Sequence, residues 1–212
     1  ARIEPEGKVT RMWEAIEIIQ KLFTGADVKH QGQYFTLETA RLWTMPAAPP
    51  PIYVATAGPV TAKRSGRTVD GIITPGAPVE KIANLFEKFD EGASAAGREP
   101  GSQKKIIQLH LSWAETEEEA LTNAMVEWPN GGMKFPKQDI RSPFDFEQIA
   151  KLVRAEDFDG RMLISADPDA HRTEIQKFLD LGATAIYLHN VGRNQREWID
   201  VFGRDVLPKL TA

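Results

Sequence analysis

Two stretches of this 212-residue chain carry residue types that could hold a ligand against the backbone. The first is Pro49-Pro50-Pro51-Ile52-Tyr53-Val54-Ala55-Thr56-Ala57-Gly58-Pro59, and the second is Asp70-Gly71-Ile72-Ile73-Thr74-Pro75-Gly76. Each is an apolar run ending in small residues, followed by a helix-like segment, which is the pattern of strand, tight turn and helix. Small residues let a ligand approach the main chain, and the next helix would aim its free N–H groups at an anion there. A plain strand-to-helix turn without a ligand uses the same residues. The third stretch is Lys105 to Trp113, where Ile107, Leu109 and Leu111 share one face of a strand and Gln108, His110 and Ser112 share the other. In a closed parallel barrel that second face lines the interior, so His110 would line a site near the strand's C-terminal end. On an open sheet the same alternation is one wet face.

Other chemistries are bounded by composition. Without cysteine there is no disulfide, no zinc–thiolate site and no cysteine nucleophile, which fits a reducing compartment and a cytoplasmic location. The four histidines (His30, His110, His171 and His189) show no metal-ligand spacing, so no metal site is expected. A formal net charge of −4 argues against a nucleic-acid or anionic-membrane surface. No apolar run is long enough to span a membrane. Glu115, Glu117, Glu118 and Glu119 read as the solvated first turn of a helix, suited to its positive end. His30 reads as a solvated turn residue.

The elements that would position these residues follow from periodicity. Val9, Met12, Ile16, Ile19 and Phe23 mark an amphipathic helix closed by Gly25, and residues 28–37 a small hairpin. Strands are expected at 52–56, 71–74, 105–113 and 185–190. Helices are expected near 60–67, from Val79 towards Gly97, at 115–128, 144–154 and 168–181, and from Arg196 to Leu210. Asp167 reads as an N-cap, with Pro168 at the first helical position. Residues 129–143, rich in Pro and Gly, form an irregular insertion of the kind that is either functional or mobile. Strands alternating with helices give an α/β class with a parallel sheet, and one domain over residues 1–212.

Laid out in order, several motifs resemble the luciferase-like flavin and deazaflavin oxidoreductases. They are Trp13-Glu14-Ala15-Ile16 through Gln31-Gly32-Gln33-Tyr34-Phe35, the Pro50 to Pro59 turn, Ala62-Lys63 with Gly66-Arg67, and Asp70-Gly71-Ile72-Ile73. Ser165-Ala166-Asp167-Pro168-Asp169 and Leu188-His189 bring the chain nearest to the coenzyme F420-dependent glucose-6-phosphate dehydrogenase branch. The resemblance implies a TIM-like (β/α)8 barrel, usually dimeric, of which about the C-terminal half is present. Strands 52–56, 71–74, 106–113 and 184–189 would be barrel strands five to eight, and the N-terminal half of the barrel would be missing. It implies an oxidoreductase that moves a hydride between a hydroxyl substrate and F420. An FMN-dependent monooxygenase and a non-catalytic half-barrel binding protein are the alternatives. In that family a His near the end of an early strand acts as base and an acidic residue further on assists, both in the missing part, so no catalytic residue is expected in this chain. Thr56, Ala57 and Gly58, with the Thr74-Pro75 turn, would hold the cofactor through their backbone. Of the family's sugar-phosphate cations, the arginine is matched by Arg161, whereas Pro78 and Gln148 stand in place of lysines. A lone Arg compensates a phosphate dianion poorly, so His110 and Arg161 are expected to contact an alcohol or other non-phosphorylated hydroxyl compound. An ion pair of Arg161 with Asp159 or Asp167 is the competing expectation.

Overall fold

The computed structural model describes residues 5–99, 101–134, 140 and 142–211. It divides into two compact units, Ala1–Pro51 and Ile52–Ala212.

In the first unit, helix α1 (Pro5–Leu22) precedes an antiparallel hairpin of β1 (Val28–Gln31) and β2 (Thr36–Ala40). Gly25 closes the helix end in the left-handed conformation expected of it, at φ 74°. The buried stripe of α1 is only in part the expected one: Ile16 is buried as predicted, but Val9 and Ile19 are exposed, and Trp13 and Ile18 are buried instead. The hairpin decides the facing side. Glu14 accepts hydrogen bonds from the Tyr34 and Phe35 amides, the latter at 2.8 Å, and sits 3.1 Å from His30 Nε2. His30 is therefore a strand residue locked to a carboxylate rather than a solvated turn residue. Burial opposes the charge of Glu14, but the bonds from Phe35, His30 and Tyr34 outweigh it and hold the carboxyl below its usual range.

The second unit is built on a parallel sheet of β3 (Tyr53–Ala55), β4 (Gly71–Pro75), β5 (Lys104–Ser112), β6 (Leu163–Ile164) and β7 (Ala185–Asn190). Between them run α2 (Pro59–Thr68), α3 (Val79–Ala95), α4 (Glu117–Glu127), α5 (Pro143–Ala150) and α6 (Pro168–Asp180), and α7 (Gln195–Val201) follows β7. The α/β class and the four longer strands are as the pattern predicts. Central β5 pairs with β4 over Lys104–Gln108, and with β7 over Ile106–Leu111. The two-residue β6 meets β5 at Leu111 and Ser112. Gln108 and Ser112 carbonyls accept from Gly76 and Ser165 amides. Carbonyls four apart on a strand point the same way, so β4 and β6 lie along the same edge of β5, with a gap between them.

Alternation then sorts the faces. Val54, Ile72, Ile107, Leu109 and Leu111 turn to the same, helix-facing side, and the last four cluster there with Ile82, Phe86, Phe89, Ile175 and Phe178. Helices α2 and α3 cross so closely that a Cβ on Gly66 would overlap the Phe89 carbonyl, and one on Gly92 the Lys63 carbonyl. Tyr53, Ala55, Gln108, His110, Tyr187 and His189 occupy the opposite, inner face. After α7 the chain widens into a π turn at Phe202–Val206 and then a 3-10 turn at Leu207–Lys209. The single helix expected to Leu210 gives way because Pro208 cannot donate to it, while the wider turn keeps Phe202 and Val206 buried. Of the insertion at 129–143, Pro129–Gly131 is a 3-10 turn, and 135–139 and 141 lie outside the described residues. No described helix is long and apolar enough to cross a membrane.

Candidate functional site

Where β4 stops at Pro75 and β6 begins at Leu163, the edge of β5 around Leu109 and His110 has no strand beside it. A cavity of about 470 Å³ opens there. Its apolar wall comes from Leu109, Leu111, Ile175 and Phe178, and its polar groups include His110, Arg161 and Glu174. The two substrate-binding residues expected from sequence, His110 and Arg161, thus share one cavity. Pro75 and Pro78 line it as well.

Arg161 donates from Nη1 to the Met133 carbonyl at 3.0 Å. Among the described residues it forms no ion pair with Asp159 or Asp167. Asp167 is the N-cap of α6, accepting from the Asp169 amide at 2.9 Å. Gln148 lies exposed on α5 and accepts from Lys151, away from the cavity lining.

The cofactor candidates divide. Thr74 is buried on the helix-facing side, its hydroxyl 3.3 Å from the Pro75 carbonyl, so its side chain is closed to a ligand. Thr56, Ala57 and Gly58 form the turn from β3 into α2, apart from the cavity lining. There the Thr56 hydroxyl accepts from the Gly58 amide at 3.0 Å, and a Cβ on Gly58 would meet nothing nearer than that hydroxyl at 3.8 Å. The first intrahelical bond of α2 runs from the Ala62 amide to the Gly58 carbonyl, which leaves the Val60 and Thr61 amides at the helix's open end. Val60 is exposed.

Two residues of this region carried no chemical role in the sequence. His189 stands opposite His110 in the β5–β7 register, and the two Nδ1 atoms are 2.8 Å apart. Trp128, at the end of α4, stacks on the His110 ring at 4.8 Å and meets the His189 ring edge-on at 5.1 Å. Burial holds the His110 pKa below its usual value, and the nearby His189 adds to that. Also in the cavity lining, buried His171 bonds the Ser165 carbonyl through Nε2 at 2.9 Å and has no partner at Nδ1. Its pKa is lowered by burial, against the opposing pull of the Ser165 carbonyl, Asp167 and Glu117. No group of three His, Asp or Glu side chains able to hold a metal occurs among the described residues.

The family model for the luciferase-like monooxygenases matches residues 2–185. The chain belongs to the luciferase-like monooxygenase family. An F420-dependent glucose-6-phosphate dehydrogenase of Nocardia farcinica (strain IFM 10152) is 33% identical over 207 residues, covering 97% of this chain and 62% of the relative. An enzyme of the same description from Amycolatopsis mediterranei (strain U-32) is 32% identical over 97% of this chain and 62% of its own length. The chain therefore spans about 62% of the length of the curated relatives it matches. Among solved structures, an F420-dependent secondary alcohol dehydrogenase in complex with an F420-acetone adduct superposes with a TM-score of 0.87 at 24% identity. It is covered over 64% of its length by the whole of this chain. The F420-dependent tetrahydromethanopterin reductase of Methanopyrus kandleri gives 0.74 at 22% identity, over 96% of this chain and 64% of that one. At these identities the likeness is one of fold, and the parallel α/β sheet is that of the luciferase-like barrel enzymes in part of its extent.

Proposed function

We propose that this chain is the C-terminal portion, strands five to eight, of a single barrel domain in an F420-dependent oxidoreductase that oxidises or reduces an alcohol or sugar-type hydroxyl group. The observation that carries the substrate reading is the cavity that joins His110 and Arg161 while Pro78 and Gln148 stand where a sugar phosphate would need lysines. One guanidinium and a neutral imidazole suit a hydroxyl or carbonyl better than a phosphate dianion. The cofactor reading is supported by the two relatives described as F420-dependent, and by a turn that fits a phosphate-bearing ring compound. Gly58 leaves the backbone unobstructed, and the amides of Val60 and Thr61 open the helix towards an anion. Thr56, Ala57 and Gly58 would hold the phosphate side, with the backbone of Thr74 and Pro75 along the ring edge. A deazaflavin bound there supplies hydride transfer.

What this chain's own residues do is bind and orient. His110 meets the substrate oxygen, Arg161 supplies a fixed positive charge beside it, and Leu109, Leu111 and Ile175 keep that side of the cavity apolar. No catalytic base is assigned within residues 1–212, and the remaining barrel strands and a second subunit are the partners this reading requires. The family's own description as monooxygenases sustains the rival cofactor FMN. Titrating the purified protein with F420 and with FMN separates them, because the two chromophores absorb at different wavelengths. Saturable F420 binding that weakens on Gly58→Val is expected. FMN binding with no response to F420 would overturn the reading. An intact mass well above 23.6 kDa, or a second co-purifying polypeptide, would identify the rest of the barrel.

A further inference from the structure

His110 and His189 sit on neighbouring strands in direct register, and both turn to the inner face. Their Nδ1 atoms lie 2.8 Å apart, with ring centroids at 5.0 Å and planes at 81°. Trp128 stacks on the His110 ring and packs edge-on against the His189 ring. At that separation one proton must lie between the two nitrogens. Two lone pairs would repel, and two N–H groups would collide.

The tautomers follow. In the neutral couple the ring that donates from Nδ1 has a bare Nε2, an acceptor, and the ring that accepts at Nδ1 carries its proton on Nε2, a donor. Among the described residues neither Nε2 has a protein partner, and neither is sealed from solvent. With its Nδ1 paired to His189 on β7, His110 is also a lining residue of the cavity that opens along the other edge of β5.

We propose that His110 and His189 act as one neutral, proton-sharing couple, in which His110 is the specificity-determining contact for a hydroxyl or carbonyl ligand and His189 is the positioning residue that sets whether His110 accepts or donates. This rests on the substrate reading above and gives it a physical basis. A carbonyl can only accept and so needs a donor at His110 Nε2, whereas a hydroxyl can pair with either form of that nitrogen and donates only when Nε2 is bare. Moving the shared proton from His110 Nδ1 to His189 Nδ1 exchanges one role for the other. The balance is complete when His110 Nε2 gains a proton from water and His189 Nε2 releases one to it. The couple stays uncharged, so the same site takes both members of an alcohol–ketone pair.

The test is long-range proton–nitrogen NMR of the 212-residue chain labelled at histidine, without cofactor. Opposite tautomers at His110 and His189 are expected, with 2-butanone moving His110 towards the Nε2–H form and His189 changing reciprocally, and with 2-butanol, which pairs with either form, producing a smaller shift. In His189→Phe, His110 should lose that response, and the ratio of 2-butanol to 2-butanone affinity should move about three- to tenfold, the range of one hydrogen bond. His189→Asn, which can still donate or accept, should restore part of it. Identical tautomers in the two rings, or an unchanged His110 response in His189→Phe, would overturn the proposal. F420 titration of the same samples reads the cofactor assignment separately, since it can fail while the tautomer pattern stands, and the reverse.

Discussion

The two faces of the sheet in the second unit are made from the same strands and do different work. On the helix-facing side Ile72, Ile107 and Leu111 cluster with side chains of α2, α3 and α6, and glycines bring two of those helices into backbone contact. On the inner side Tyr53 and Tyr187 remain 40% and 53% exposed, and the polar residues Gln108, His110 and His189 share the surface with them. The helix-facing side holds the apolar core and, at Leu109, Leu111, Ile175 and Phe178, one wall of the cavity, while the inner side presents the polar rings.

That contrast breaks most sharply at Phe89. Its side chain is almost wholly buried between α3 and the sheet. Phe89→Ala should lower unfolding free energy by about 3–5 kcal/mol, the range for a large aromatic removed from a core. Urea denaturation of the two proteins measures it, and a loss below about 1 kcal/mol would mean the helix layer is not the stabilising face. Gly66→Ala comes next. Alanine favours a helix, yet its Cβ would overlap the Phe89 carbonyl, so α2 must move off α3. Overpacking of this kind costs about 1–3 kcal/mol. Stabilisation on Gly66→Ala would show that the two helices separate easily.

Acid sharpens the comparison through the histidines. His171 is buried in the helix layer and His110 on the inner side, and burial holds both pKa values below the ordinary one. The unfolded chain therefore binds protons that the folded chain refuses, so stability is full above the unfolded value of about 6.5 and falls as pH drops through it. Replacing His171 by Asn should flatten the stability–pH profile between about pH 7 and pH 5 more than His110→Asn does, since His171 is the more deeply buried. Equal slopes in wild type and the His171 variant would remove that histidine from the acid response.

Much of this was legible before the structure. The alternation at Ile107, Leu109 and Leu111 gave β5 its buried face, and Asp167-Pro168 marked the start of α6, because period and cap are local signals. The His110–His189 couple was not legible. It depends on the β5–β7 register, and a shift of one residue would place His189 on the helix-facing side. Trp128 was hidden for the same reason, being brought over the rings by the end of α4 and not by any spacing. The stripe on α1 was partly misassigned because Trp13, Ile16 and Ile18 fit no single three-four repeat. Their burial is set by the hairpin that Glu14 anchors. Cavity geometry was the least visible feature, since it arises where a two-residue strand fails to extend β4.

The smallest expected effect lies on the inner face itself. Tyr187 projects from β7, whose pairing among the described residues is with β5 on one side. In the 212-residue chain Tyr187→Ala should change stability by no more than about 0.5 kcal/mol, as surface substitutions do. In a protein whose inner face is covered by further strands, the same substitution would remove a buried aromatic and cost about 3–5 kcal/mol. Measuring the substitution in both contexts tells whether the inner face is a surface or an interior. A large loss in the 212-residue chain alone would mean that it closes this face by self-association, and dilution should then unfold it.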